Sequence, residues 1–404
     1  MANIKPFAAL RPNPELASLV CAPPYDVISS AEARESAAGN LLSFLHVSKP
    51  EIDLPPETDL YDPSVYAKGK ENFSSLIGES ALQQDGHAWL YLYRQIMGPH
   101  TQTGLVAVAS CEEYLQGIIR KHELTRPDKE DDRTRHIETL NSQTGPVFLV
   151  YRSDSELEQF IQKKIAGKPE IDFVAKDGVR HTSWNICQPT DITAIQNVFA
   201  RIPVLYIADG HHRSAAAARV YQKRQGMGQS GWFLSVIFPH HQVQILPYNR
   251  VLKDLNNRSP DELLKELQAV FSINTDAAAQ PTRKHQVRLF LKGKWHALTF
   301  KAELTESATS TEQLDVALLQ RHVLGPVFGI DDPRTSDRIN FIGGIRGTAE
   351  LEKRVCSGEF ACAFSMFPTS IEDLMEIADA GGIMPPKSTW FEPKLRDGMF
   401  CHLI

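Results

Sequence analysis

The stretch IPVLYIADGHHRSAAAARVY, residues 202–221, restricts this chain more than any other. Ile202, Val204, Leu205, Tyr206 and Ile207 favour extended backbone, while Ser214 to Arg219 is an alanine-rich run with almost no preference against helix. Gly210 supplies the tight turn between them. Strand, turn and helix in immediate succession is a common device of α/β proteins, and it points to sheet and helices packed in layers.

The junction itself reads DGHHR. A helix start offers backbone N–H groups without partners and the positive end of the helix dipole, so Gly210, His211, His212 and Arg213 make a compact anion receptor with phosphate as its natural guest. Arg213 can grip a phosphate bidentately, and Asp209 can hold a metal ion or accept a proton. The same residues also suit a plain helix cap, because Asp and His near turns often serve that purpose.

Length and charge narrow the rest. At 404 residues the chain can form two or more domains, each with its own core. A net charge of -6, with no run of Lys and Arg, makes duplex DNA an unexpected partner. No apolar stretch approaches the length of a membrane span, and the N-terminus, with Pro6, Pro12 and Pro14, lacks the apolar region of a secretory signal. A cytoplasmic location is therefore expected. Six scattered cysteines without a CxxC pair predict reduced, mostly buried thiols.

The pattern along the chain predicts mixed elements. A helix over Ala31–Ala37 follows a cap at Ser29 or Ser30, and another covers Tyr66–Leu82. Strands are expected at Ala88–Gln95, Leu105–Cys111 and Pro146–Tyr151, with hairpins around residues 176–178 and 292–294. Trp232–Phe238 and Gln242–Leu246 read as a strand pair. Asn256–Asp261 resembles a linker into a helix at Glu262–Val270. Further helices are expected near Glu312–His322, Thr348–Val355 and Ile371–Ala380, with a strand at Phe360–Phe367.

Three other strings carry candidate chemistry. In the charged segment 116–138, Lys121, His122, Glu123 and Arg133 supply the cations and carboxylates that a nucleotide with magnesium needs, although mixed charge also describes a solvated face held by local ion pairs. APPYDVI combines a rigid turn with Tyr25 and Asp26, and Asp26 suits a cap for the next helix. PYNRV places Arg250 at a strand exit, and the tail MPPKSTWFEPKLRDG, residues 384–398, offers Lys387, Lys394 and aromatic side chains. The common P-loop, Rossmann, zinc-protease and hydrolase motifs are absent.

Taken together, IKPFAALRP, APPYDVI, KHELTRPDKEDDRTRHIETLNSQTGPVFLVY, ADGHHR, PYNRV and MPPKSTWFEPKL resemble the signatures of the prokaryotic domain of unknown function 1015 family. DGHHR is also similar to the phosphate-binding turn of the ParB/sulfiredoxin superfamily, and especially of its free-serine kinases. The resemblance implies an α+β, mixed α/β fold: a ParB/sulfiredoxin-like region over residues 1–255 and a C-terminal α/β region over 256–404, with the tail 384–398 contributing to the site. It implies phosphate or nucleotide binding by Gly210, His211, His212 and Arg213, to which Lys121, His122, Arg133, Arg250 and Lys387 are added as candidates. Asp209 is expected at the metal or the reacting hydroxyl, with Asp26 or Glu123 as base. The implied activity is a phosphotransferase, an ATP- or ADP-dependent kinase of free serine or a related small hydroxy metabolite with Mg2+; the alternative is a nucleotide- or metabolite-binding regulator without turnover. No helix-turn-helix accompanies the ParB likeness, which leaves DNA out of the expected partners. Neither composition nor motif assigns an oligomeric state.

Overall fold

A computed structural model describes residues 1–275, 277–306 and 309–404. The chain forms two compact units, one of residues 1–243 with 393–404 and one of residues 244–392. The expected single division at 255/256 lies inside the second unit, and the last twelve residues rejoin the first.

The first unit is built on a nine-stranded mixed sheet. Its strands are β1 (Ile4–Lys5), β2 (Leu90–Met97), β3 (His100–Ser110), β4 (Ile119–Arg120), β5 (Val147–Tyr151), β6 (Ile171–Val174), β7 (Arg180–Ile186), β8 (Leu205–Asp209) and β9 (Trp232–Pro239). They lie in the order β4-β8-β5-β9-β3-β2-β7-β6, and β1 pairs with β3. The apolar runs explain the centre of this sheet: β5 and most of β3 and β9 are buried throughout, as strands covered on both faces must be. Helix Ser30–Ala37 is capped by Ser29 in a reciprocal box with Glu32, and Asp26 is not its cap.

Two helices matter for the site, α1 (Pro127–Leu140) and α2 (His211–Arg224). The alanines 215 to 218 are buried, and Ala216 and Val220 pack on Ile137. Ion pairs run along the same seam, with Arg219 2.6 Å from Asp131 and Lys223 2.7 Å from Glu138. Glu130, Asp131 and Glu138 of the charged segment 116–138 thus stitch α1 to α2.

The chain end is placed by backbone pairing. His402–Leu403 runs antiparallel to Ser142–Gln143, and Cys401 and Asp397 bridge to Leu10 and Ala22. This returns residues 393–404 to the first unit.

The second unit carries a six-stranded antiparallel sheet of β10 (Tyr248–Leu252), β11 (Phe271–Thr275), β12 (Gln286–Leu291), β13 (Lys294–Phe300), β14 (Ile339–Gly343) and β15 (Cys362–Met366), ordered β11-β13-β12-β15-β10-β14. Helices α3 (Pro260–Leu267) and α4 (Ile371–Asp379) each start in a capping box, at Ser259 and Ser370. The expected pairing of Trp232–Phe238 with Gln242–Leu246 does not form. β9 is instead held by β3 and β5, while Gln244–Leu246 pairs with Trp390–Glu392. Between the two segments lies one 3-10 turn, His240–Gln242, which starts after Pro239, a residue with no N–H to donate to a hairpin.

Candidate functional site

β8 and α2 meet at the DGHHR string. The register of β8 against β5 shifts between Ile207 and Asp209, a bulge that re-aims the strand end just before the turn. Gly210 then takes φ +97°, and a Cβ there would stand 3.1 Å from Arg213 Nε. Glycine is required twice over: by the left-handed backbone, and by the guanidinium lying against it. Helix α2 begins directly at His211, earlier than the alanine run suggested, and no side chain caps it. Its first N–H groups are thus left for an outside acceptor.

Arg213 is buried beneath this helix start. Its Nη1 donates to the Pro146 carbonyl, and Nη2 lies 3.4 Å from Asp209 Oδ2 and 3.8 Å from Asp26 Oδ2. Burial disfavours its charge, but Asp209, Asp26, Tyr25 and Asp397 outweigh that effect and raise its pKa. Asp209 is the mirror case. Burial opposes its ionisation, while Lys394, Arg213 and His211 hold it well below the usual carboxylate range. Lys394 Nζ donates to Asp209 Oδ2 at 3.2 Å, and the Gly210 N–H donates to Oδ1 at 3.0 Å.

On the other side of Arg213 lies a cavity of about 30 Å³, room for about one water. Tyr25, Arg133, Gly145, Arg213 and Asp397 are among its walls. Arg133 stacks on the Tyr25 ring at 4.0 Å and pairs with Asp132 at 2.8 Å. Asp397 is 2 % exposed, and its Oδ1 has no hydrogen-bond partner. Burial pushes its carboxyl up to about 7, against the opposing pull of Arg213 and Arg133.

The histidines divide in role. His122 is 2 % exposed, its ring meets that of His211 edge-on at 4.4 Å, and beyond the Ile207 backbone its ring nitrogens have no hydrogen-bond partner among the described residues. Burial lowers its pKa to about 4, with the Ile207 backbone and Asp209 opposing. Burial and the neighbouring His122 likewise hold His211 well below 6.5. One ligand atom each from His122, Glu123 and His211 lie within 4.8 Å of one another. His212 turns away from that group and accepts the Arg126 N–H at 3.1 Å.

The fold therefore assembles Asp26, His122, Glu123, Arg133 and Asp209 to Arg213 in the first unit. Lys121 is exposed, with its ammonium over the Tyr114 ring at 4.3 Å, yet its charge reaches His211 and helps lower that pKa. Arg250 and Lys387 belong to the second unit, where Arg250 Nη2 donates to the Lys387 carbonyl at 3.2 Å. Sequence reasoning missed Asp397 and Tyr25 as neighbours of Arg213. Their one trace was the ordered look of the proline- and aromatic-rich segments in which they sit.

The family described as "protein of unknown function (DUF1015)" matches residues 4–317. No curated protein matches the chain. Among solved structures, a free serine kinase in complex with AMP is 15% identical, covering 71% of this chain and 87% of its own with a TM-score of 0.37. A conserved hypothetical protein from Pyrococcus furiosus is 16% identical over 72% of this chain and 93% of its own, TM-score 0.36. SbnI with a C-terminal truncation, from Staphylococcus aureus, is 10% identical over 72% and 85%, TM-score 0.39. Likeness at this level does not bear on chemistry.

Proposed function

From a chain that belongs to the DUF1015 family of proteins of unknown function, we infer a small-molecule phosphotransferase whose phosphate seat is the start of α2. One observation carries this reading: an uncapped helix N-terminus stands over a buried Arg213, with two carboxylates within 4 Å of its guanidinium. The helix start and Arg213 suit the transferring phosphate, since both present donors that are fixed before the ligand arrives. The seat uses the backbone N–H groups of His211 and His212, because the His212 side chain is already engaged with Arg126.

Asp209 is an oxygen donor of the kind a hard cation such as Mg2+ takes. Bound there with ATP or ADP, Mg2+ would neutralise charge on the phosphates. Asp26 is favoured as base for a serine-like hydroxyl because its side chain is 38% exposed and still approaches Arg213. Glu123 stands among the histidines instead. Lys394 and Arg213 hold Asp209 ionised, so this carboxylate stays an acceptor and does not take up the proton.

One feature favours a second reading, a nucleotide-binding regulator without turnover. Asp209 already pairs with both Arg213 and Lys394, so a ligand must compete with an ion-pair cluster. Incubation with ATP or ADP, Mg2+ and L-serine separates the two. Phosphoserine formation that Asp26→Asn lowers by at least about 100-fold, with AMP affinity little changed, supports the kinase and its base. Saturable AMP binding with no transfer to serine or related hydroxy acids supports the regulator. Binding of neither nucleotide nor phosphate defeats both.

A further inference from the structure

We propose that His122, His211 and Glu123 form a binding site for a divalent first-row transition ion, distinct from the Asp209 carboxylate assigned to Mg2+. The donor set is two imidazoles and one carboxylate, which suits manganese, iron, cobalt or zinc and is a poor choice for magnesium. The local fold explains why three such groups converge. His122 and Glu123 are neighbours on the loop between β4 and α1, and His211 is the first residue of α2, immediately after the Gly210 turn. In a strand, consecutive side chains would point to opposite faces. A loop is free of that alternation and can aim both at one point.

His122 is the observation that points to a ligand. It is almost wholly buried, yet beyond the Ile207 backbone its ring nitrogens have no hydrogen-bond partner among the described residues, in a place where an unsatisfied polar group costs stability. Its ring lies edge-on to His211, whose Nε2 accepts the His122 backbone N–H at 3.5 Å, so the two residues are held side by side by backbone as well as by packing. The ligand atoms of the three residues fall within 4.8 Å of one another. Metal bonds of about 2.1 Å set donor separations of roughly 3–4 Å, so closure asks for about 1 Å of movement. Glu123 is only partly buried and has the longest side chain of the three, with three torsions through which its carboxylate can shift.

The site leaves coordination positions unused by protein, as catalytic or ligand-binding metal sites do. It does not depend on phosphoryl transfer. The His211 side chain serves the ion, while the His211 backbone N–H remains at the helix start.

The test uses the full chain, stripped with chelator and titrated with Co2+ in the absence of nucleotide. One equivalent of cobalt with visible d–d absorption is expected, displaced by Zn2+ and not by Mg2+ in large excess. His122→Ala and Glu123→Gln should each weaken cobalt binding by at least about 10-fold, while His212→Ala should leave it within a few-fold. Glu123→Gln changes a partly exposed side chain, so it decides the matter should His122→Ala fail to fold. Absence of cobalt binding, or binding that Glu123→Gln and His122→Ala leave unchanged, overturns the proposal. Loss of AMP binding or of phosphoserine formation with cobalt binding intact would instead fail the phosphotransferase reading alone.

Discussion

Asp397→Asn removes a carboxyl that is buried beside Arg213 and Arg133. The carboxyl of Asp397 stands at about 7 in the folded chain against an ordinary 3.8, with burial as the main cause. A group whose folded pKa is raised favours the fold fully below its unfolded pKa and loses that contribution as pH climbs through the folded value. Between pH 4 and 7 the fold should thus lose up to about 4 kcal/mol through this one carboxyl, close to 1.4 kcal/mol for each pH unit. Buried histidines complicate the raw profile. His122, His136 and His402 are each lowered to about 4, chiefly by burial, and these favour the fold above 6.5 and lose that contribution as pH falls through 4. The difference between wild type and Asp397→Asn cancels them. Urea denaturation of both proteins at half-unit steps from pH 4 to 8 measures it. The Asn variant should gain on wild type steadily from pH 4 to 7 and level off above. A flat difference would show that burial does not dominate. It would mean that Arg213 and Arg133 hold the carboxylate ionised, because a folded value below 3.8 leaves almost no titration above about pH 5.

Two glycine substitutions test the geometry directly. Gly210→Ala places a methyl 3.1 Å from Arg213 Nε at φ +97°; the backbone alone costs about 1–2 kcal/mol, and AMP affinity by calorimetry should drop about 10-fold through displacement of the guanidinium. Unchanged affinity would separate Arg213 from the ligand. Gly398→Ala, at φ +79°, drives a Cβ to 2.5 Å from the fully buried Phe44 ring, for a loss of about 2–5 kcal/mol; a wild-type melting temperature would show that Phe44 yields easily.

Much of the secondary structure was legible because it is local. The first helix is capped by Ser29, one of the two serines the sequence offers, and the residue 176–178 and 292–294 hairpins form at their Gly-containing turns. Helix α2 runs from His211 to Arg224, longer at both ends than Ser214 to Arg219. Alanine content marks where helix is favoured, whereas the start is decided by Gly210. The strand pairing of residues 232–246 was misread, since the preference for extended backbone does not name a partner. β9 found two partners more than 80 residues away in sequence for Ser235, at Ala107 and Val147.

By itself the sequence determined that a strand enters a helix through DGHHR, because that outcome depends on φ at one glycine and on the propensities of a few neighbours. It also singled out most of the polar residues now grouped there. Which of them share a site was decided by tertiary structure alone. Asp26, Asp209 and Asp397 converge on one guanidinium across some 370 residues of chain because the last twelve residues pair back onto the first unit. Arg250 and Lys387, identical in kind to the others as sequence, fold into the second unit. Charge and residue type are properties of the chain, but the burial and distance that turn them into chemistry exist only once the backbone has found its pairing.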